Sequence, residues 1–173
     1  MRQLKVFIYV QHLSGVGHMI RAQQIGLALA RRHRVRILDG GRALPFPQPL
    51  QPLAVPALVR RDGCTVPINP SLSLAEAMLL RRRGLAAMLR DYRPDVILVE
   101  HYPFSKWELG PEILAMLDRA REVNSAVAVV ASLRDVSLRT GQEPADDYEN
   151  RVLAVLNRSF DGLLVHADPR VCQ

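Results

Sequence analysis

Two cysteines in 173 residues, Cys64 and Cys172, are too few and too far apart for a disulfide framework or a metal cluster. Aromatic residues are scarce, 5% of the chain, and none interleave with the basic residues. The stacking platform that nucleic acid needs is therefore missing, and nucleic acid is not expected as a partner. No apolar run approaches the roughly 20 residues of a membrane span, and the longest, such as Val127–Ala131, are strand-length. The opening Met1–Lys5 leads into only a short apolar run without a small-residue cleavage site, so no signal peptide is read. No repeat, low-complexity segment or interdomain linker appears. These absences leave one folded domain over residues 1–173 in a reducing, cytoplasmic setting, with no metal and no cofactor called for.

What is present is arginine, unevenly placed. All but two of the 23 basic residues are arginine, which codon bias alone could produce. Residues 1–90 hold 14 Arg and Lys against 3 Asp and Glu, and residues 91–173 hold 9 against 14. A basic half suits an anionic partner such as a phosphate-bearing ligand or acidic lipid headgroups. Arg81-Arg82-Arg83 reads as a solvated helix face that, with Arg60, Arg61 and Arg90, could make peripheral contact with the inner face of a membrane at roughly 1 kcal/mol per residue.

Periodicity and turn residues divide the chain into alternating elements. Val6–Val10 reads as a buried strand. His18–His33 has helical spacing, with Ile20, Ile25, Leu27 and Leu29 on its apolar side. Val35–Leu38 is a second strand. Residues 42–70 carry seven of the 12 prolines and read as a long irregular loop with one short strand at Thr65–Ile68. Ser73 and Glu76 form a capping box for a helix that runs to Tyr92, where Arg93-Pro94 stops it. Asp95–Glu100 is a strand, Gly110-Pro111 opens a helix to Glu122, Ala126–Leu133 is a strand, Asp146–Phe160 a helix and Gly162–His166 the last strand. The alternation predicts an α/β, Rossmann-like, doubly wound parallel sheet. Ligands in such sheets bind beyond the carboxyl ends of the strands. Four segments lie there: Gln11–His18, Glu100–Trp107, Ser132–Gly141 and His166–Pro169.

Gln11-His12-Leu13-Ser14-Gly15-Val16-Gly17-His18 joins the first strand to the first helix. Its glycines either make a tight turn or, by positive φ and a bare backbone, let a ligand come close. The helix behind offers free N–H groups and the positive end of its dipole. A Walker loop is excluded, since no Gly-Lys-Ser/Thr is present. A dinucleotide fingerprint would need a glycine or alanine where Ile20 stands, although Asp39, at the end of the second strand, sits where a ribose-binding acid would.

Gly-x-Gly-His followed by Arg21-Ala22 resembles the opening loop of GT-B glycosyltransferases, notably the bacterial lipid-linked N-acetylglucosaminyl transferase of peptidoglycan synthesis. That family's double glycine is here Val16-Gly17. Arg93-Pro94-Asp95-Val96-Ile97 is similar to its Lys/Arg-Pro-Asp-Val strand, which lies beside the first strand. Glu-His-Tyr-Pro-Phe (100–104), Ser-Leu-Arg-Asp (132–135) and Val-His-x-Asp-Pro (165–169) resemble stretches of bacterial predicted glycosyltransferases. The resemblance implies the N-terminal, acceptor-binding half of a GT-B architecture. The nucleotide-sugar donor would be held mainly by a C-terminal domain that would begin after Asp168-Pro169, and this half would be inactive without it. The acceptor would be lipid-linked or a small molecule. A nucleotide-sugar epimerase of the same architecture and a non-catalytic nucleotide-binding module are the rival readings.

Inverting sugar transfer needs a base for the acceptor hydroxyl. His18, at a helix N-terminus that favours a neutral ring, is the candidate, with His12 the alternative and a capping or packing role the competing explanation. Glu100 could orient the His18 ring, as could Asp135 from the next strand. His12, Ser14, Gly15, Gly17, His101 and Arg134 are the expected substrate-binding residues. His166 and Asp168 are read as part of an interdomain hinge. Tyr102, Phe104 and Trp107 would either stack on a sugar or plug the core.

Overall fold

The computed structural model describes residues 2–133 and 144–166; Arg134, Asp135, Asp168 and Pro169 lie outside them. The elements are β1 (Lys5–Tyr9), α1 (Gly17–Ala30), β2 (Arg34–Asp39), β3 (Gln51–Ala54), β4 (Leu58–Arg61), β5 (Cys64–Pro67), α2 (Leu74–Tyr92), β6 (Val96–Glu100), α3 (Gly110–Val123), β7 (Ala128–Leu133), α4 (Ala145–Ser159) and β8 (Gly162–Val165). A single 3-10 turn, Trp107–Leu109, precedes α3.

Six strands form one parallel sheet in the order β3-β2-β1-β6-β7-β8. The chain leaves β1 in one direction toward β2 and β3, and from β6 proceeds the other way through β7 to β8. The winding therefore reverses between β1 and β6, which pair with Val6 opposite Val96 and Tyr9 opposite Val99. A crevice opens at such a reversal because the two connections leave on different sides of the sheet.

Alternation along β1 feeds two cores. Val6, Ile8 and Val10 pack with Met19, Ala22, Val35 and Ile37 on the α1 face. Phe7 and Tyr9 pack with Leu85, Leu89, Ile113 and Leu117 from α2 and α3 on the other. Each fully buried aliphatic side chain contributes about 1.5–3 kcal/mol of transfer free energy. Ser73 and Glu76 form the predicted capping box, with the Ser73 backbone N–H donating to Glu76 Oε2 at 2.8 Å. Arg93, in the left-handed region, ends α2 ahead of Pro94.

Three expectations are corrected. The helix α1 turns Met19, Ala22, Gln23 and Gly26 inward, while Ile20 is 46% exposed; Ile25, Leu27 and Leu29 only flank the core. At Gly26 the helix lies close against its neighbours, which leaves no room there for a larger side chain. A Cβ on Gly26 would come within 3.1 Å of Leu50 and 3.4 Å of Ile8. The proline-rich stretch is not one irregular loop. β3 pairs only with β2, an edge position that tolerates Pro52. β4 and β5 form a hairpin across Asp62-Gly63, both with positive φ, and β5 is the strand expected at Thr65–Ile68, shifted by one residue.

Arg81 is the third. It is fully buried, not part of a solvated basic face. Its guanidinium donates to Glu112 from Nε at 2.9 Å and Nη2 at 2.8 Å, and to the Pro56 carbonyl from Nη1 at 2.9 Å. The buried pair takes Arg81 away from any lipid surface. Among the described residues no helix is long and apolar enough to cross a membrane.

Candidate active site

The C-terminal end of β1 delivers Gln11 and His12 into the protein before the chain surfaces at Ser14–Gly17. Gln11 is held by its own amide, which donates to the Gly40 carbonyl at 2.9 Å. His12 is 2% exposed, with Nε2 3.1 Å from the Arg42 carbonyl oxygen and its ring against Gly41. It lies beneath the loop, closed off from solvent. Its ring is also close enough to Asp39 at the end of β2 to feel that carboxylate's charge.

Beyond His12, Ser14, Gly15 and Gly17 line an open cleft of about 470 Å³ together with His18, Arg60, Ser105 and Lys106. The loop glycines do not take positive φ, which among the described glycines is confined to Gly63. A Cβ on Gly15 or Gly17 would meet nothing within 4 Å. Neither backbone conformation nor packing against the protein therefore requires glycine at these two positions. The N-terminus of α1 has no capping side chain and no acidic residue in its first turn.

His18 sits at the cleft wall with its side chain 35% exposed. Its Nδ1 is 3.4 Å from Glu100 Oε1. Its ring meets that of His101 edge-on, centroids 4.9 Å apart. A carboxylate can only accept, so it favours the tautomer with the proton on Nδ1 and the lone pair on Nε2. Glu100, at the last position of β6, is almost fully buried and accepts from Arg21 Nη1 at 2.8 Å and Ser132 Oγ at 2.9 Å. Burial by itself would raise its pKa. The His18 hydrogen bond, the Arg21 charge and the Ser132 hydroxyl outweigh burial and hold it below the ordinary glutamate value. Since Ser132 spends its proton on Glu100, it accepts from His166 Nε2 at 3.2 Å. Residues from α1 and β7 thus meet at the carboxylate that ends β6, and His166, just past β8, joins them through Ser132.

His101 follows Glu100 with positive φ, and its Nδ1 lies 3.2 Å from Ser105 Oγ. Burial, then the neighbouring His18 and Lys106, lower its pKa to about 4, so it is neutral at physiological pH. Tyr102 and Trp107 plug the core: Tyr102 is buried, with Trp107 edge-on at 5.5 Å and Phe160 tilted at 6.4 Å. His18, Glu100, His101, Ser14, Gly15 and Gly17 are gathered at the switch point, and His12 is turned away from it. Three participants escaped the sequence reading. Arg21 and Ser132 were visible inside quoted motifs, but nothing in their spacing marked them as partners of Glu100. Lys106 carried no signal, because its burial depends on how the 101–109 loop folds back.

No protein-family model matches the sequence, and no curated protein matches it. Solved structures match the fold. Phytolacca americana UGT2, complexed with UDP-2fluoro-glucose and pterostilbene, shares 14% identity over 97% of this chain and 48% of its own, with a TM-score of 0.57. The Bordetella bronchiseptica enzyme WbmH, in complex with NAD+, shares 14% identity over 95% of this chain and 56% of its own, with a TM-score of 0.52. The chain spans about half the length of these proteins. At such identity the likeness concerns the fold, a Rossmann-like α/β domain that matches GT-B glycosyltransferase structures.

Proposed function

We propose that this domain is the acceptor-binding half of a glycosyltransferase that moves a sugar from a nucleotide-sugar donor to an acceptor hydroxyl. The observation that carries the reading is the His18–Glu100 pair at the sheet's switch point, with Nδ1 3.4 Å from Oε1 and the ring on an open cleft. In this arrangement Glu100 fixes the tautomer and His18 Nε2 takes the acceptor proton as the hydroxyl attacks the anomeric carbon. Glu100 also steadies the imidazolium that results. Ser14, Gly15 and Gly17 border the acceptor, and His101 packs the base in place without competing for its proton. A C-terminal donor domain completes the site, and this half alone turns over no sugar nucleotide. The UDP-sugar bound by the similarly folded UGT2 supports a nucleotide-sugar donor.

The test is transfer from a panel of nucleotide sugars to hydroxyl acceptors, by this chain alone and by the chain joined to its donor half. Transfer should appear only in the joined protein. Turnover by the isolated chain, or a joined protein that interconverts nucleotide sugars without an acceptor, overturns the reading; the second result is that of an epimerase.

A further inference from the structure

The amine of Lys106 is buried without a hydrogen-bond partner among the described residues. It belongs to the wall of the cleft that Ser14, Gly15, Gly17, His18 and Arg60 complete. The carboxylates that attract it are Glu100 and Glu108. Both are engaged elsewhere: Glu100 accepts from Arg21, Ser132 and His18, and Glu108 is paired with Arg60. Among the described residues, Arg21, Arg60 and Lys106 set against those two acids leave one positive charge unmatched around the cleft. An ammonium taken from water and given no partner is unfavourable, and a protein keeps one where something else supplies the partner. The cleft that Lys106 lines is open to solvent, and the first turn of α1, which lines it too, has no acidic side chain that would repel an anion.

We propose that Lys106 is an anion-binding residue of this cleft, and that the acceptor is a molecule carrying a phosphate or carboxylate group that pairs with the Lys106 amine. The assignment to an acceptor rests on the domain being an acceptor-binding half; the anion site itself does not. Such a group would restore charge balance at Lys106 and set the acceptor's position along the cleft relative to His18. Burial lowers the lysine pKa to about 8, which leaves it mostly charged at neutral pH and able to gain further charge as an anion enters.

Trp107 is the single tryptophan of the chain and follows Lys106 directly, so its fluorescence reports the site. The purified chain is titrated at constant ionic strength with inorganic phosphate, with acetate and with UDP. Saturable binding of phosphate or acetate is expected, and whichever binds more tightly identifies the group. Lys106→Met should weaken binding roughly tenfold or more, because it deletes a charged hydrogen-bond donor of the same length. Lys106→Arg should restore most of it, and Arg82→Met, on the exposed side of α2, should bind as the unsubstituted chain does. Equal binding by Lys106→Met, or no saturable binding in any arm, overturns the proposal. UDP binding through Lys106 more tightly than phosphate or acetate would make the donor's diphosphate the occupant and overturn the acceptor assignment. His18→Ala separates the two readings: it should still bind anion through Lys106 yet lower kcat of transfer in the joined enzyme by roughly 10²–10⁴-fold. Anion binding with transfer unaffected would sink the catalytic reading and leave the anion site standing.

Discussion

His18 and Glu100 stand 82 positions apart in the chain, and the meeting of β1 with β6 brings Nδ1 of one to 3.4 Å from Oε1 of the other. The contact is long for a charge-assisted hydrogen bond, and apo catalytic pairs often tighten only when substrate is bound. Arg21 shares the same carboxylate oxygen at 2.8 Å. Glu100 therefore has its charge secured by arginine and its direction read by histidine.

If His18 is the base, His18→Ala in the two-domain enzyme should lower kcat by roughly 10²–10⁴-fold and change donor KM little. His12→Ala should act on stability, since its ring fills a buried space against Gly41. Steady-state kinetics and urea unfolding of the two variants separate these effects. Near-full kcat in His18→Ala would remove the base assignment.

Glu100→Gln keeps the shape of the side chain but loses the charge facing Arg21 and the preference for one imidazole tautomer. It should lower kcat by roughly 10²-fold or more. A His18→Ala/Glu100→Gln enzyme should be no slower than His18→Ala alone, because the two act as a unit. Multiplying effects would mean that Glu100 works independently of His18.

Gly17→Ala and Gly41→Ala should part company. A methyl on Gly17 meets nothing within 4 Å, so the folded chain should keep its Tm while binding and turnover fall as the methyl enters the cleft. A methyl on Gly41 comes within 2.4 Å of the His12 ring, an overpacking that should cost about 1–3 kcal/mol in denaturant unfolding. Gly17→Ala with full activity would show that the loop does not border the ligand.

The buried Arg81–Glu112 pair predicts an asymmetric response. Arg81→Met strands the Glu112 carboxylate, with Tyr9 Oη still donating to it at 2.6 Å, and should cost roughly 3–5 kcal/mol. Arg82→Met, one residue along on the exposed face, should stay within about 0.5 kcal/mol. Equal effects in urea unfolding would contradict the burial of Arg81.

His101 predicts a pH dependence. Its folded pKa of about 4 lies below the roughly 6.5 of an unfolded histidine, so between those values the unfolded chain binds more protons. This residue's contribution to stability is present above about pH 6.5 and declines as pH falls toward 4. His12 and His166, whose pKa values burial also lowers, add to the same decline. Unfolding free energies at pH 7 and pH 5 should differ less in His101→Gln than in the unsubstituted chain. An identical difference would assign the acid sensitivity to other groups.

The sequence alone determined the elements whose cause is local. β-branched runs at Val6–Val10 and Asp95–Glu100 place strands, Ser73 and Glu76 cap a helix, and Arg93-Pro94 ends it, because period, capping and φ restriction act over a few residues. The Asp62-Gly63 hairpin was equally local and its turn signal stood in the sequence, masked by the surrounding prolines. Tertiary structure decided which polar groups are inside. Three arginines in a row look alike, yet Arg81 is buried because α3 brings Glu112 to it and the others stay in water. The sequence assigned His18, His12 and His101 separate parts but could not say which of them would be buried. The close approach of Gly41 takes His12 inside, while strand order sets His18 and His101 against Glu100. Burial and pairing arise from residues distant in the chain, and a local pattern carries no record of them.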